Sequence, residues 1–589
     1  DNMISGMWHA VSVGELTRDV ALYISDGLRH GFTLGIDTAQ LQDHVWHSNY
    51  KSAIEAKPAI IKAIAARTAV GRTADLGVWD EPLAAGVRAH WPSSRIFSLG
   101  GVPKRLYGRV LPDEIRPVSD HSASGVNAAT SLEGLEHSLG TQELLSRLFT
   151  HGSYMSVTDV ADAFTLIPLR PAIWRFMLFC FWPAADAAQQ HLYAHVFADF
   201  GAAGTPGTWK LLFADAVCGM ARAAGKSLLP KAIHVDDVAV VGPTAQATNA
   251  DMASFQEYCS TVCGVHFKVA KDRAAATNQY VIGFWWDSLS LTLTLHEQHL
   301  WNYAEYIADL AGRRSLSLRE MQSAAGKMQR AIMTFPPGAR CLLTSLFRLT
   351  VGLRLPWQRR RLTQGARMDM NEVLTLLGLN LGRGHYSYAH FMEGPDTRSD
   401  ACREPGSFTG GGYASADGSY SWWQYGTRAA KHHIDELEAH SVVRAVRLNA
   451  AKWRDLFIPF GVDNSAFQQS AAAGRSRVER LNRYVRELFY AMLAGGFLLG
   501  FYWLSSEDNV VADHFSRGRE YEGIASAYAT GFWQGFVGAH RHPDTGTTQT
   551  LEHSEPSSAP PPRRAAAAAL RCGADMTLPT QKASTVSST

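Results

Sequence analysis

Cysteine is scarce and scattered in this chain, with seven in 589 residues, at positions 180, 218, 259, 263, 341, 402 and 572. Only Cys259 and Cys263 are neighbours, and no second Cys or His pair follows at ligand spacing, which argues against a zinc module. An odd count without a secretory leader excludes a disulfide-stapled scaffold and fits a reducing, intracellular compartment, cytoplasm and nucleus being indistinguishable. Long apolar runs are also missing. The longest uncharged one, 488–504, falls short of the roughly 20 residues that span a bilayer. Gly495-Gly496 divides it into a helix end and a buried strand, so no membrane partner is expected. Charge of one sign is absent overall, with 56 basic against 54 acidic side chains. A start methionine is lacking too, which reads as a fragment or a processed piece of a longer product.

What is present is ordinary globular composition, 46% hydrophobic and 19% charged, in a chain long enough for several domains. Short apolar runs alternate with helical ones from 97 to 290, an α+β pattern. Residues 291–375 read as helical and basic. Between Leu310 and Arg367 lie twelve basic residues against one acid, Glu320. Such a segment in a near-neutral chain is a polyanion track, although a solvated helical surface would look similar. Residues 376–406 read as a linker, 407–522 return to α/β patterning, and 523–589 form an extension ending in a Pro/Ser/Ala/Thr-rich disordered tail. The first 96 residues are mixed and lead into the next domain.

Two segments carry a first carboxylate constellation. Ser156–Phe164 (SVTDVADAF) delivers Asp159 at the end of a short strand, with Asp162, Ala163 and Phe164 behind it. In Ile233–Gly242 (IHVDDVAVVG) apolar runs flank Asp236-Asp237, so a strand–turn–strand places both at a hairpin tip. Nucleotidyl transfer uses such a set, since carboxylates from neighbouring strands can hold two Mg²⁺ (or Mn²⁺) ions about 3.5–4 Å apart. One Asp-Asp pair is weak evidence, whereas D-x-x-D-A-F, a Gly-rich loop and x-V-D-D in that order are far more specific.

From about Gly100 to Arg340 the chain resembles the reverse transcriptases of retroelements. That resemblance implies a right-hand polymerase of fingers, palm and helical thumb. It gives Lys104 and Arg116 to the incoming triphosphate, Gly201 in Phe200–Pro206 to the loop against template and nucleotide, and Lys271 to the triphosphate. Ile282-Gly283-Phe284 is similar to the hairpin that grips the primer. Asn127 and Ser323–Lys327 (SAAGK) resemble the tyrosine-recombinase retrotransposons of the DIRS and Ngaro type. Phe164 would collide with a 2′-hydroxyl and so select deoxynucleotides. The implied partners are an RNA template, a DNA primer, the RNA–DNA hybrid and dNTPs. His234 departs from the family, which carries Tyr or Phe before Val-Asp-Asp.

A second set of acids follows. Asp417 lies in SADGS, Glu438 in a helical segment with Glu436 as an alternative, Asp463 after an apolar run, and Asp513 in NVVADHFSR. Their order resembles the RNase H fold, which implies a D-E-D-D set holding two ions across a scissile phosphate. The expectation is therefore an α+β and α/β multidomain polymerase followed by an RNase H-like domain.

Overall fold

In a computed structural model, the described residues are 2–541, apart from 107–108, 137–140, 388–390, 405–407, 429–430 and 534–539. The sequence expectation of a disordered tail falls mostly outside them. The chain divides into two compact units, 1–291 and 292–589.

In the first unit a long hairpin, β1 (Leu99–Leu106) and β2 (Arg109–Ser119), precedes a four-stranded antiparallel sheet. The strands of that sheet are β3 (Tyr154–Asp159), β4 (Lys231–His234), β5 (Asp237–Gly242) and β6 (Arg273–Ala276), in the order β6-β3-β5-β4. Helix α1 (Ala245–Val262) covers one face and buries Met252, Phe255 and Cys259. On the face packed against this helix, Val238 and Val240 of β5 stand opposite Thr158 and Ser156 of β3, all four buried, as a sheet packed against a helix requires. Antiparallel pairing sets Asp237 opposite Asp159 and also opposite His234.

The second unit begins with helices α2 (Glu297–Gly312), α3 (Leu318–Ala331), α4 (Thr344–Thr350) and α5 (Gln364–Asn380), with a small ribbon of β7 (Ser315–Ser317) and β8 (Arg359–Arg361). Ser317 and Glu320 form a reciprocal capping box at the start of α3. A mixed sheet follows, built from β9 (Thr397–Arg403), β10 (Thr409–Ser415), β11 (Ser419–Gln424), β12 (Leu456–Val462) and β13 (Leu498–Trp503), in the order β13-β12-β9-β10-β11. The pairs β9–β10 and β10–β11 are antiparallel, whereas β9–β12 and β12–β13 are parallel. Helices α6 (Ile434–Asn449), α7 (Glu479–Gly495) and α8 (Val510–Ser516) provide the crossovers and flanks. Arg486 on α7 pairs with buried Asp369 on α5, which ties the helical part to the sheet part of this unit.

The linker expected at 376–406 is therefore not a linker: it contains the end of α5 and the central strand β9. The uncharged stretch resolves as α7, closed by Gly496 at φ +66°, and then β13. No described helix is long and apolar enough to cross a membrane.

Strand β10 is glycine-rich where it matters. A Cβ on Gly411 would collide with Ser441 Oγ on α6, and one on Gly412 would lie 2.6 Å from the carbonyl carbon of Phe515 on α8. Bare backbone lets helices sit close to the sheet on both faces at this point.

Candidate active sites

In the first unit, Asp159 ends β3 while Asp236 and Asp237 follow the turn out of β4, so the pairing register converges three carboxylates. One oxygen from each lies within 4.8 Å of the others. The turn is strained, because Val235 is β-branched and yet has φ +60°, a conformation that costs of the order of 1–3 kcal/mol. Two hydrogen bonds hold it: Trp209 Nε1 donates to Val235 O at 2.7 Å, and Val160 N–H donates to Asp236 O at 2.7 Å. Burial, followed by the charges of Asp236 and Asp159, pushes Asp237 up to about 6. Burial and Asp159 raise Asp236 as well.

Two ammonium groups face this cluster. Lys268 Nζ donates to Asp159 Oδ1 at 2.5 Å, and Lys271 Nζ pairs with the other oxygen. Lys271 was expected near the triphosphate, whereas Lys268 went unnoticed in the sequence.

Behind Asp159, Asp162 adopts φ +61° and pairs with Arg72 at 2.8 Å. Its side chain thus faces a guanidinium and stays out of the acidic cluster. Ala163 and Phe164 are buried, and the Phe164 ring lies 5.1 Å from that of Phe200, which is 41% exposed. Phe200 opens the loop that carries Gly201. Gly201 has φ +134° and packs so tightly on Ser119 O that any side chain would clash. Asn127 clasps the same loop. Its Oδ1 accepts from Ala203 N–H at 2.8 Å, and its Nδ2 donates to Gly201 O at 2.9 Å. Just upstream, buried Asp199 accepts from His121 Nε2 at 3.0 Å. Burial alone would raise Asp199, but His121 overrides this and holds the carboxyl below the ordinary carboxylate range. On the hairpin, Lys104 pairs with Glu114 at 2.9 Å and Arg116 is exposed. Ile282-Gly283 turns the hairpin between Val281 and Phe284.

The second unit corrects one assignment. Asp417 sits in the β10–β11 turn, where its Oδ1 accepts from Ser419 N–H at 2.9 Å and from Ser419 Oγ at 2.5 Å. Among the described residues it belongs to neither acidic cluster. Asp400, on β9, belongs to the second: Asp400, Glu438 and Asp463 each bring an oxygen within 4.8 Å of the others. β9 is central, flanked by β12, which ends beside Asp463, and β10. The neighbouring helix α6 supplies Glu438. Glu436 lies two residues earlier, on nearly the opposite side of the helix, and accepts from His432 at 3.2 Å, so Glu438 and not Glu436 faces the cluster. Asp513 stands outside the 4.8 Å group, because Arg517 grips its carboxylate with both Nε and Nη2. Its charge still raises Asp400 and Asp463.

Among the described residues, no lysine pairs with this second cluster as Lys268 and Lys271 pair with the first. Burial and then Asp463 push Asp400 up to about 7. Burial, Asp400 and Asp463 raise Glu438 well above 4.5. Glu438 Oε2 and Asp463 Oδ1 are buried without a hydrogen-bond partner. Orphaned, mutually repelling carboxylate oxygens in a small space are the donor set that a hard divalent cation satisfies. The three carboxylates of the first unit are the same kind of donor.

No family model and no curated protein matches the chain. Among solved structures the chain is similar to foamy viral protease-reverse transcriptase in complex with RNA/DNA hybrid, at 16% identity and TM-score 0.44, covering 81% of this chain and 57% of that one. It is similar to the dRH form in complex with ds DNA at 15% identity and TM-score 0.43, covering 79% and 72%. The form in complex with dsDNA gives 16% identity and TM-score 0.42, covering 79% and 85%. The chain thus spans under two thirds of the first of these proteins.

Proposed function

We propose that the chain is an RNA-directed DNA polymerase with a second centre that cleaves the RNA of an RNA–DNA hybrid. The observation that carries this reading is the pair of separate three-carboxylate clusters, one in each compact unit, each assembled from sequence-distant segments. Bound Mg²⁺ or Mn²⁺, two per site, would activate the attacking oxygen and stabilise the leaving group at each centre. In the first, Asp159, Asp236 and Asp237 would hold those ions; the primer 3′-oxygen gives up its proton and bonds to the α-phosphorus of a dNTP as the bond to pyrophosphate breaks. Arg116, Lys104 and Lys271 neutralise the triphosphate. Phe164, beneath Phe200, closes the space a 2′-hydroxyl would need, and Gly201 with the Asn127 clasp sets the loop against the template. In the second, Asp400, Glu438 and Asp463 would hold the ions that neutralise the scissile phosphate; water attacks the phosphorus as the bond to the 3′-oxygen breaks, with Asp513 as the fourth acid once Arg517 releases it. The β13-β12-β9-β10-β11 order, with antiparallel and parallel pairs, supports an RNase H-like reading of this part. The helices from 297 to 380 are read as the thumb. Asn127 and Ser323–Lys327 favour the DIRS and Ngaro type among retroelements.

Primer extension on an RNA template and cleavage of labelled RNA in a hybrid test the proposal together. Asp236→Asn should abolish extension and spare cleavage, and Asp463→Asn should do the reverse. Neither activity in the parent protein, or loss of both in either folded variant, would overturn it.

A further inference from the structure

The segment between α4 and β8 holds an exposed aromatic on fixed backbone. Gln358 Oε1 accepts from the N–H groups of Arg354 (2.6 Å) and Leu355 (2.9 Å). From the other side, the start of α3 closes it: Leu318 N–H donates to Gln358 O at 2.8 Å and Arg319 N–H to Pro356 O at 3.1 Å. These are helix-start amides that have no partner within their own helix. Trp357 lies between the two pinned carbonyls and is 70% exposed. Four arginines and no acid occur between Val351 and Arg361. Arg359 is tethered to Ser315 O at 2.7 Å. Arg354, Arg360 and Arg361 are exposed and form no ion pair among the described residues.

We propose that Trp357 is a stacking platform for an unpaired polynucleotide strand, with the indole face taking a base and Arg354, Arg360 and Arg361 taking flanking phosphates. The inference rests on the nucleic-acid reading above and adds a binding mode to it. A phosphate track alone serves duplex and single strand alike. An exposed ring on rigid backbone is useful only to a strand whose base faces are free, and stacking on aromatic side chains with arginine support is how such strands are held without sequence preference. The charge is complementary to a polyanion, and neither the ring nor the guanidinium groups single out a ribose, so RNA and DNA strands should bind alike.

The test uses the whole chain with oligouridylate, oligothymidylate and a blunt duplex, each of about 20 units, followed by tryptophan quenching and anisotropy. Trp357→Ala should weaken both single strands by about fivefold or more and leave the duplex within about twofold. Trp357→Phe should restore most of the loss. Arg360→Ala with Arg361→Ala should weaken every nucleic acid and flatten the salt dependence. If the parent binds neither duplex nor strands, the nucleic-acid reading itself fails. If the parent binds them and Trp357→Ala changes nothing, or weakens duplex equally, the platform alone is refuted. A uridylate-to-thymidylate ratio beyond about tenfold would refute it as well, by revealing a sugar contact. So would a Trp357→Ala defect confined to phosphatidylserine vesicles.

Discussion

Replacing Asp400 by Asn should stabilise the cation-free second unit at neutral and alkaline pH while destroying hybrid cleavage. Asp400 is 5% exposed and shares its space with Glu438 and Asp463. Its carboxyl is pushed from 3.8 up to about 7, first by burial and then by Asp463. A carboxyl whose folded value is raised contributes full stability below its ordinary value and loses it as pH rises toward the folded one. The loss therefore falls between about pH 4 and about pH 7, and at 1.36 kcal/mol per pH unit it amounts to roughly 4 kcal/mol. Asparagine keeps the shape and removes the charge. With a chelator present, the variant should melt above the parent at about pH 8, by several degrees at about 2–4 °C per kcal/mol, and should match it near pH 4. Mg²⁺ should stabilise the parent more than the variant, because the parent's repelling carboxylates are what the ion relieves. Scanning calorimetry across pH, with and without Mg²⁺, reads all of this. Asp417→Asn is the control: its oxygen can still accept from Ser419, so its cleavage should persist. An Asp400→Asn protein no more stable than the parent at about pH 8 in chelator would refute the shared burial of the three acids.

Phe164→Ala should admit ribonucleotides, lowering discrimination by about tenfold or more, or roughly 1.4 kcal/mol of differential barrier; unchanged discrimination in single-nucleotide kinetics would make Phe164 a core residue only. Asn127→Ala should raise the KM for dNTPs more than it lowers kcat, since it frees the loop at Gly201 and Ala203 without touching the acids; equal effects on both constants would contradict the clasp. Lys268→Met should tighten Mn²⁺ binding to the free protein by about threefold or more, because Asp159 loses one of two competing ammonium groups; weaker binding by calorimetry would show that Lys268 helps to build the site.

The first carboxylate cluster was legible because its chemistry is local. A strand ending in Asp159 and a turn carrying Asp236-Asp237 can be seen in short windows, and only their pairing is tertiary. Asp400 was not legible. Its strand, TRSDACR, has no large apolar residue and no alternation, so it reads as linker, and its identity as a strand comes from its neighbours β10 and β12. Asp417 was expected in the site because it stands first in an order of acids that resembles the RNase H fold, and what Asp-Gly marks here is a turn. Lys268 was hidden for a third reason: one lysine near another is unremarkable until the fold aims both at the same carboxylate.

The glycines of β10 have a consequence for how this half of the molecule will respond to substitution. Gly411 and Gly412 bear no functional group and contact no reacting atom, yet they fix the depth at which the flanking helices settle on the sheet. One added methyl at either position wedges a helix outward, and the acids of the second centre separate although none has changed. In a saturation survey scored by cleavage, these positions would therefore score like ligands. The useful discriminator is the neutral chemistry of the offending residue: at Asp400 only the loss of charge matters, whereas at Gly411 bulk alone is enough. Positions intolerant of alanine but indifferent to polarity are spacers, and this strand carries three of them in a row, Gly410, Gly411 and Gly412.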